Sequence, residues 1–591
     1  MMFESPRKST NVLHAWSESQ EELHETQPVS PPGTEKCVKV KKKKRKQQRG
    51  EIRSVSASHL PTDDGLCADG DRAQKETKYK ADEPIVRGIF QIGKKSHDVV
   101  LTAKRVTWTP IEPETPTAER DVMKQEEYVE LQDVFAVKVK RRRSAGQQTG
   151  GTLLGITLFH CKKKGLKLKD HTIHLNNLSV DHCEIWFKTL KEILNGFRQR
   201  PKSLKVFVNP TSHKKEAYKI YLDEVVPLFK LADIQADVTI TERKGHALSV
   251  LKDCCLDDYD GVVCVGGDGS VAEVAHGLLL RAQMDAGRDT DSIFTPVQAA
   301  LPLGIIPAGS TDVVACSVYG KIHSVTAALH IIMGHRQPVD VCSFSSMGRL
   351  VRFGFSAMFG FGGRTLALAE RHRWMPPSQR REFALIKTLA NLKPEDCELS
   401  FITSGRTEDQ RLAKEHVLRD ERNRDEDSIF EDGSWQTRQG LYLNISIMAI
   451  PCLCSMAPRG LAPNTRLNNG SMALITVGDT SRSEFIKHLK RYGSTSNQFS
   501  FSFIETHTVK AVRLRPRSQG SWPEDITEEH EECDSKTTPI ISSEGTYPWN
   551  IDGDLLEVPS EILIRVHPHL LTLFGGDIEE AEEAPVKCSC I

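Results

Sequence analysis

Two short stretches place phosphate-binding and proton-accepting groups side by side. The first is Val263-Cys264-Val265-Gly266-Gly267-Asp268-Gly269-Ser270, where an apolar run leads into glycines and a helical pattern over Ala272 to Arg281 leaves them. Glycines let backbone amides approach phosphate oxygens, and a helix N-terminus adds a positive partial charge. On its own the stretch reads equally well as a tight strand-to-helix turn that binds nothing. The second is Ile306-Pro307-Ala308-Gly309-Ser310-Thr311-Asp312, which follows another apolar run and offers a glycine, two hydroxyls and a carboxylate. If both runs are strands of one parallel sheet, both turns emerge at its carboxyl edge, where ligands bind.

The elements that must position these turns lie between residues 201 and 340. Ser203 to Val208, Ala236 to Ile240, Gly261 to Val265 and Leu303 to Pro307 read as strands, with helical stretches between them, one over 245–256. Such alternation predicts an α/β layer, and the continuous apolar character of Gly261 to Val265 predicts a buried parallel strand. Residues 341–575 return to short strands, interrupted by charged segments at about 405–437 and 515–545 that read as surface insertions. Ahead of the α/β region, residues 84–200 carry short alternating runs: Val86 to Ile92, Asp98 to Leu101, Arg105 to Trp108, Phe135 to Lys140 and Leu153 to Phe159. They end in an amphipathic helical pattern from Cys183 to Leu194 containing Trp186. Many short strands closed by one helix resemble a pleckstrin-homology domain. Its basic cluster Lys138 to Arg143 reads either as a contact for anionic lipid heads or as a solvated loop.

The totals bound the rest. A chain of 591 residues is too long for one core. With 79 basic and 79 acidic residues, net charge selects no partner, and no nucleic-acid partner is expected. The 15 cysteines are scattered without paired zinc spacing and read as small buried hydrophobes in a reducing compartment. Residues 1–35 show no signal-peptide pattern, and Leu441 to Ala457, the most apolar stretch, is shorter than the roughly 20 residues that span a bilayer. Residues 1–83 form a polar tail whose run from Lys39 to Lys46 reads as a nuclear import signal, an anionic-surface contact or a solvated tail. The expected location is cytoplasm and nucleus, with peripheral association to internal membranes such as endoplasmic reticulum and Golgi. Residues 576–591 read as a tail, and Cys588 formally begins a prenylation box that acidic neighbours disfavour.

A Gly-Gly-Asp-Gly turn after an apolar strand, then Pro-x-Gly-Ser, then Asp552-Gly553-Asp554 near the end, resembles the motif order of the diacylglycerol kinase catalytic fold. Ala328-Leu329-His330-Ile331 ahead of Val339-Asp340-Val341, and Arg373-Trp374, bring the resemblance to the ceramide kinase branch, over about residues 84–575. It implies a multidomain chain: a pleckstrin-homology-like β-barrel over 84–200, then a two-lobed lipid kinase. Its first lobe, 201–340, is α/β and Rossmann-like, and its second, 341–575, is mainly antiparallel β and lipid-binding. The implied reaction moves the γ-phosphoryl group of ATP, with Mg²⁺, to a hydroxyl of a ceramide-like lipid. The implied further partner is an anionic membrane surface met by the pleckstrin-homology-like domain. Carried over by position, Asp268, Asp552 and Asp554 are catalytic candidates. Asn209, Lys214, Gly266, Gly267, Gly269, Glu273, Gly309, Ser310 and Thr311 are nucleotide-side candidates.

Four departures from the family pattern point to altered activity. The family's Asn-Pro-x-Gly-Gly-Lys-Gly loop reads Asn209-Pro210-Thr211-Ser212-His213-Lys214-Lys215 here, with its three glycines replaced. Arg364 stands at a substrate-side position that carries Asp in active sphingolipid kinases, Asn469 replaces an Asp, and Asp554 replaces a Glu. The alternative reading is a catalytically impaired nucleotide- or lipid-binding pseudokinase that acts as a regulator or scaffold. His213, within the altered loop, reads as a substitution without function.

Overall fold

The computed structural model describes residues 83–111, 127–142, 151–288, 295–404, 435–455, 457–462, 464–494, 497–517, 547–558, 560–576 and 578. The Lys39 to Lys46 run, Arg143, most of both charged insertions and Cys588 lie outside the described residues, as do the side chains of His213 and Lys214.

The first body is a seven-stranded antiparallel sheet. Its order across the sheet is Glu127–Glu130, Arg105–Pro110, Lys95–Leu101, Val86–Ile92, Lys167–Asn176, Thr152–Lys164 and Val134–Arg142. Helix Val180–Asn195 begins at Ser179, whose hydroxyl accepts from the His182 amide, and buries Cys183, Trp186 and Leu190 against the sheet. Trp186 is fully buried, edge-on to Phe90 with ring centroids 5.0 Å apart.

The second body is one continuous 14-stranded sheet. Its parallel part runs Gln235–Ile240, Ser203–Val208, Gly261–Gly266 and Leu303–Pro307. Every residue of Gly261–Gly266 and Leu303–Pro307 is buried, as befits parallel strands with both faces covered. The last long strand, Ile562–Phe574, joins the two halves. It lies parallel to Leu303–Pro307 and antiparallel to Arg336–Ser346 and Ile504–Pro516. From there the sheet continues antiparallel through Glu395–Thr403, Gln436–Met448, Ser356–Gly360, Tyr547–Ile551 and Asp554–Val558. A division at residue 340 therefore falls inside a strand, because Arg336–Ser346 pairs with the chain's last strand nearly throughout. Helices Phe361–Arg371, Pro377–Ala390 and Arg482–Arg491 make an outer layer around Phe361, Leu385, Leu389, Phe485 and Leu489. No helix among the described residues is long and apolar enough to cross a membrane.

The two bodies meet along a packed seam. Phe135, Ala136 and Leu168 of the first belong to the α/β core. The Thr326 hydroxyl accepts from the Leu168 amide at 3.2 Å and donates to the Leu168 carbonyl at 3.3 Å. Lys138, read from sequence as part of a lipid-facing or solvated cluster, pairs with Asp233 of the α/β layer at 2.6 Å.

Candidate functional site

Three turns converge at the carboxyl edge of the parallel strands. Asn209, after Ser203–Val208, donates through Nδ2 to the Ser270 hydroxyl at 2.9 Å. Gly309, after Leu303–Pro307, lies so close to the first glycine turn that a Cβ there would sit 2.6 Å from the Gly267 Cα. Only glycine allows that approach. A Cβ on Gly266 would fall 2.8 Å from the Ser270 Cβ and 3.5 Å from the Ser212 hydroxyl, so the altered loop abuts the same point. Gly269 lies in the first turn of helix Asp268–Asp285.

Asp268 heads that helix and is 9 % exposed. Its Oδ2 accepts from the Val313 amide at 2.9 Å and its Oδ1 from the Val314 amide at 3.0 Å, which caps helix Val313–Tyr319. Gly309 donates its amide to Asp312 at 2.9 Å, which closes the Gly309–Ser310–Thr311–Asp312 turn on itself. Asp312 takes the left-handed conformation, φ 51°, a short-side-chain residue's way of making such a turn. The Thr311 hydroxyl is buried with no hydrogen-bond partner among the described residues.

The chain's late acid faces the same space. Asp552 is buried, and it accepts from the amides of Phe355 and Ser356 and from the Ser356 hydroxyl at 2.8–2.9 Å. Burial pushes its carboxyl above the usual carboxylate range, against the opposing pull of Arg352 and these donors. Asp268 and Asp552 both line a cleft that is open to solvent. Thr311, Ser356 and Asn550 complete its polar lining, while Met358, Met448, Ile450, Leu461 and Tyr492 make an apolar wall. Cys452 also lines it, its thiol pushed well up by burial and so held neutral. The arrangement suits an amphipathic ligand, polar at the two carboxylates and apolar along the wall.

The remaining candidates sit elsewhere. Glu273 accepts the amides of Gly245, Ala247 and Leu248 and so fixes the start of helix His246–Asp253. Asp554 is bound to Lys244 at 2.7 Å and to Arg352, which ties the late hairpin to the loop after Gln235–Ile240. Burial alone would raise its carboxyl, but Arg352 and Lys244 outweigh burial and hold it below its ordinary value. Arg364 is buried against Glu395 at 3.1 Å and the Lys393 carbonyl, and it is not among the cleft-lining residues. Asn469 accepts the Ser471 amide at 3.3 Å within its own turn. Lys215, at the family's third loop glycine, is exposed and takes φ 69°.

Sequence reading missed Ser356, Asn550, Tyr492, Lys244 and Arg352. Asn550 had one available signal, its place two residues before Asp552, where its Oδ1 accepts the Gly553 amide at 2.9 Å. Ser356 and Arg352 are brought in on strands, Tyr492 at the end of a helix and Lys244 on a loop.

Comparison with known proteins agrees with this layout. The ceramide kinase PH domain matches residues 86–190, the diacylglycerol kinase catalytic domain 203–344, and the ceramide kinase C-terminal domain 355–591. A ceramide kinase-like protein of Homo sapiens is 55% identical over 535 residues, covering 85% of this chain and 92% of that one. The ceramide kinase of Homo sapiens is 34% identical over 423 residues, covering 67% of this chain and 78% of that one. Among solved structures, a diacylglycerol kinase from Bacillus anthracis str. Sterne aligns at a TM-score of 0.39 and 14% identity, covering 64% of this chain and 97% of that one. With its pleckstrin-homology domain, its diacylglycerol-kinase-type catalytic domain and its C-terminal domain in this order, the chain belongs to the ceramide kinase family.

Proposed function

We propose that this chain transfers the γ-phosphoryl group of ATP to the hydroxyl of a ceramide-like lipid held in the cleft. The observation that supports this reading is the cleft itself, which Asp268, Asp552 and Thr311, whose hydroxyl has no partner among the described residues, line together with apolar side chains. Nucleotide phosphates would lie over the Gly266–Gly267 and Gly309–Ser310–Thr311 turns, with Thr311 donating to a phosphate oxygen. The lipid hydroxyl oxygen attacks the γ-phosphorus, the bond to the leaving ADP oxygen breaks, and Asp268, seated between the two turns, takes the hydroxyl proton. Asp552, held by Phe355 and Ser356, orients the lipid head group by hydrogen bonding.

No group of three or more ligating side chains lies together among the described residues. A Mg²⁺ ion would enter as a companion of the nucleotide, held mainly by its phosphates. When bound it neutralises phosphate charge. For location, the Lys39 to Lys46 run supports a share in the nucleus, and the rest is assigned to cytoplasm and the surfaces of endoplasmic reticulum and Golgi; deleting residues 36–49 should lower nuclear content.

A second reading, a nucleotide- and lipid-binding regulator without turnover, is favoured by Lys215, a side chain in a left-handed position at the phosphate edge. Purified chain incubated with γ-labelled ATP, Mg²⁺ and ceramide or other hydroxyl lipids separates the two. Label in lipid, lost in Asp268→Ala, supports transfer. Nucleotide binding without label supports the regulator, and absence of both rejects the pair.

A further inference from the structure

We infer that the outer layer of three helices docks on an anionic lipid bilayer, with Trp374 as its anchor. Trp374 sits at the turn between Phe361–Arg371 and Pro377–Ala390 and is 80% exposed, and Ile386 on the second helix is 67% exposed. The His372 ring lies 6.2 Å from that of Trp374 and 4.9 Å from that of Phe383, so an aromatic row leads from the corner onto the helix, with Ile386 one turn further. The inward faces of all three helices are already used, because Phe361, Leu385, Leu389, Phe485 and Leu489 fill the layer's own core. Trp374 and Ile386 therefore add nothing to that core, yet they hold large apolar surface in water.

Charge on the same layer says what covers it. Exposed or half-buried cations Arg371, Arg373, Lys387, Arg482, Lys487, Lys490 and Arg491 stand against three such acids, Glu370, Glu382 and Glu484, and pairing of Arg373 with Glu370 and of Lys487 with Glu484 still leaves a surplus of cations. A bilayer carrying anionic heads offers both complements, an interfacial layer that accepts the indole and phosphates that accept the cations. Each cation near such a surface strengthens binding by about fivefold, so a single Trp and several cations together make a usable anchor. The layer also borders the cleft: a Cβ on Gly362, in the first helix, would lie 2.8 Å from the Met358 side chain, which lines the apolar wall. Docking here sets that wall beside the bilayer. Only this last consequence rests on the lipid-cleft reading above.

The test is co-sedimentation of the full-length chain with phosphatidylcholine vesicles with and without phosphatidylserine, alongside thermal melts that show each variant folded. Trp374→Ala is expected to weaken binding to both vesicle types. Lys487→Glu with Lys490→Glu is expected to weaken binding more than about tenfold on anionic vesicles and to leave neutral ones unchanged. Parent-like binding by both variants overturns the inference and leaves the first body to carry membrane contact. Failure of the parent to bind vesicles also overturns it, and so does finding that Trp374 mediates self-association instead. Trp374-dependent vesicle binding in a chain that labels no lipid sinks the transfer reading and leaves the docking surface standing.

Discussion

The Asp268 carboxylate accepts the Val313 amide at 2.9 Å, so the acid of the first glycine turn is also the cap of the helix that follows the second. The two turns are therefore set by one side chain, and moving either moves both. The cap needs two acceptor oxygens, since Val314 uses the other at 3.0 Å. Asp268→Asn presents an amide group to one of these N–H donors and removes the charge that favours the helix N-terminus. It is expected to cost about 1–3 kcal/mol, measured by denaturant unfolding, and to weaken nucleotide binding in the same preparation. An Asn variant as stable as the parent would show that the cap contributes nothing.

Lys215 holds φ 69°, a region in which a side chain crowds the backbone. Lys215→Gly removes that crowding at an exposed position and should raise stability by about 1 kcal/mol. Lys215→Ala keeps the Cβ and should change stability little. The comparison isolates backbone conformation from lost charge, because both variants remove the ammonium group. Equal melting temperatures for the two variants would refute strain at this loop.

Much of the scaffold was legible because parallel strands advertise themselves. Gly261–Gly266 and Leu303–Pro307 are apolar runs bounded by polar or turn residues, and their limits follow closely. Glu127–Glu130 and Lys167–Asn176 were not legible. The first buries only Val129, and the second buries only Leu168 and Leu175 among lysines, histidines and polar residues. The glycine turns and their acid were legible for the same reason as the strands that deliver them. The roles of Glu273 and Asp554 were not. An acid next to a phosphate motif suggests chemistry, but Asp554 finds Lys244 from 310 positions away, and no spacing encodes that pairing. The pairing of Lys138 with Asp233 is equally invisible in the sequence, because the two come from different bodies.

The Asp554 clasp should show in the pH dependence of stability. Its folded carboxyl lies below its ordinary value, because Arg352 and Lys244 overcome the effect of burial. Such a group stabilises the fold fully above the ordinary carboxylate value, about 4, and the contribution is lost as pH falls through the lower folded value. The stability gap between parent and Asp554→Asn should therefore be widest near neutrality and shrink only in acid below about pH 4. Lys244→Met should cost less than Asp554→Asn, on the order of 1 kcal/mol, since Lys244 is 44% exposed and screened by solvent. Melting curves of the three proteins across that range decide it, and a gap that is constant with pH would remove the clasp from the account.

Arg364 tests whether a reversed charge at a family position is a damaged ligand or a rebuilt support. Its guanidinium is buried against Glu395 at 3.1 Å and the Lys393 carbonyl, which joins helix Phe361–Arg371 to strand Glu395–Thr403. Returning the family's acid by Arg364→Asp would set two carboxylates against each other in a buried place. It should destabilise the chain by about 3–5 kcal/mol rather than restore lipid handling. Arg364→Met alone takes this cation away from Glu395 and should also destabilise the chain, by less than the charge reversal. Arg364→Met combined with Glu395→Leu removes both charges and should recover most of the loss, to within about 1 kcal/mol of the parent. Denaturant unfolding of the single and paired variants measures the coupling directly. Single variants whose losses simply add in the pair would mean that Arg364 is held by something other than Glu395, and the position would again be open to a substrate-side role.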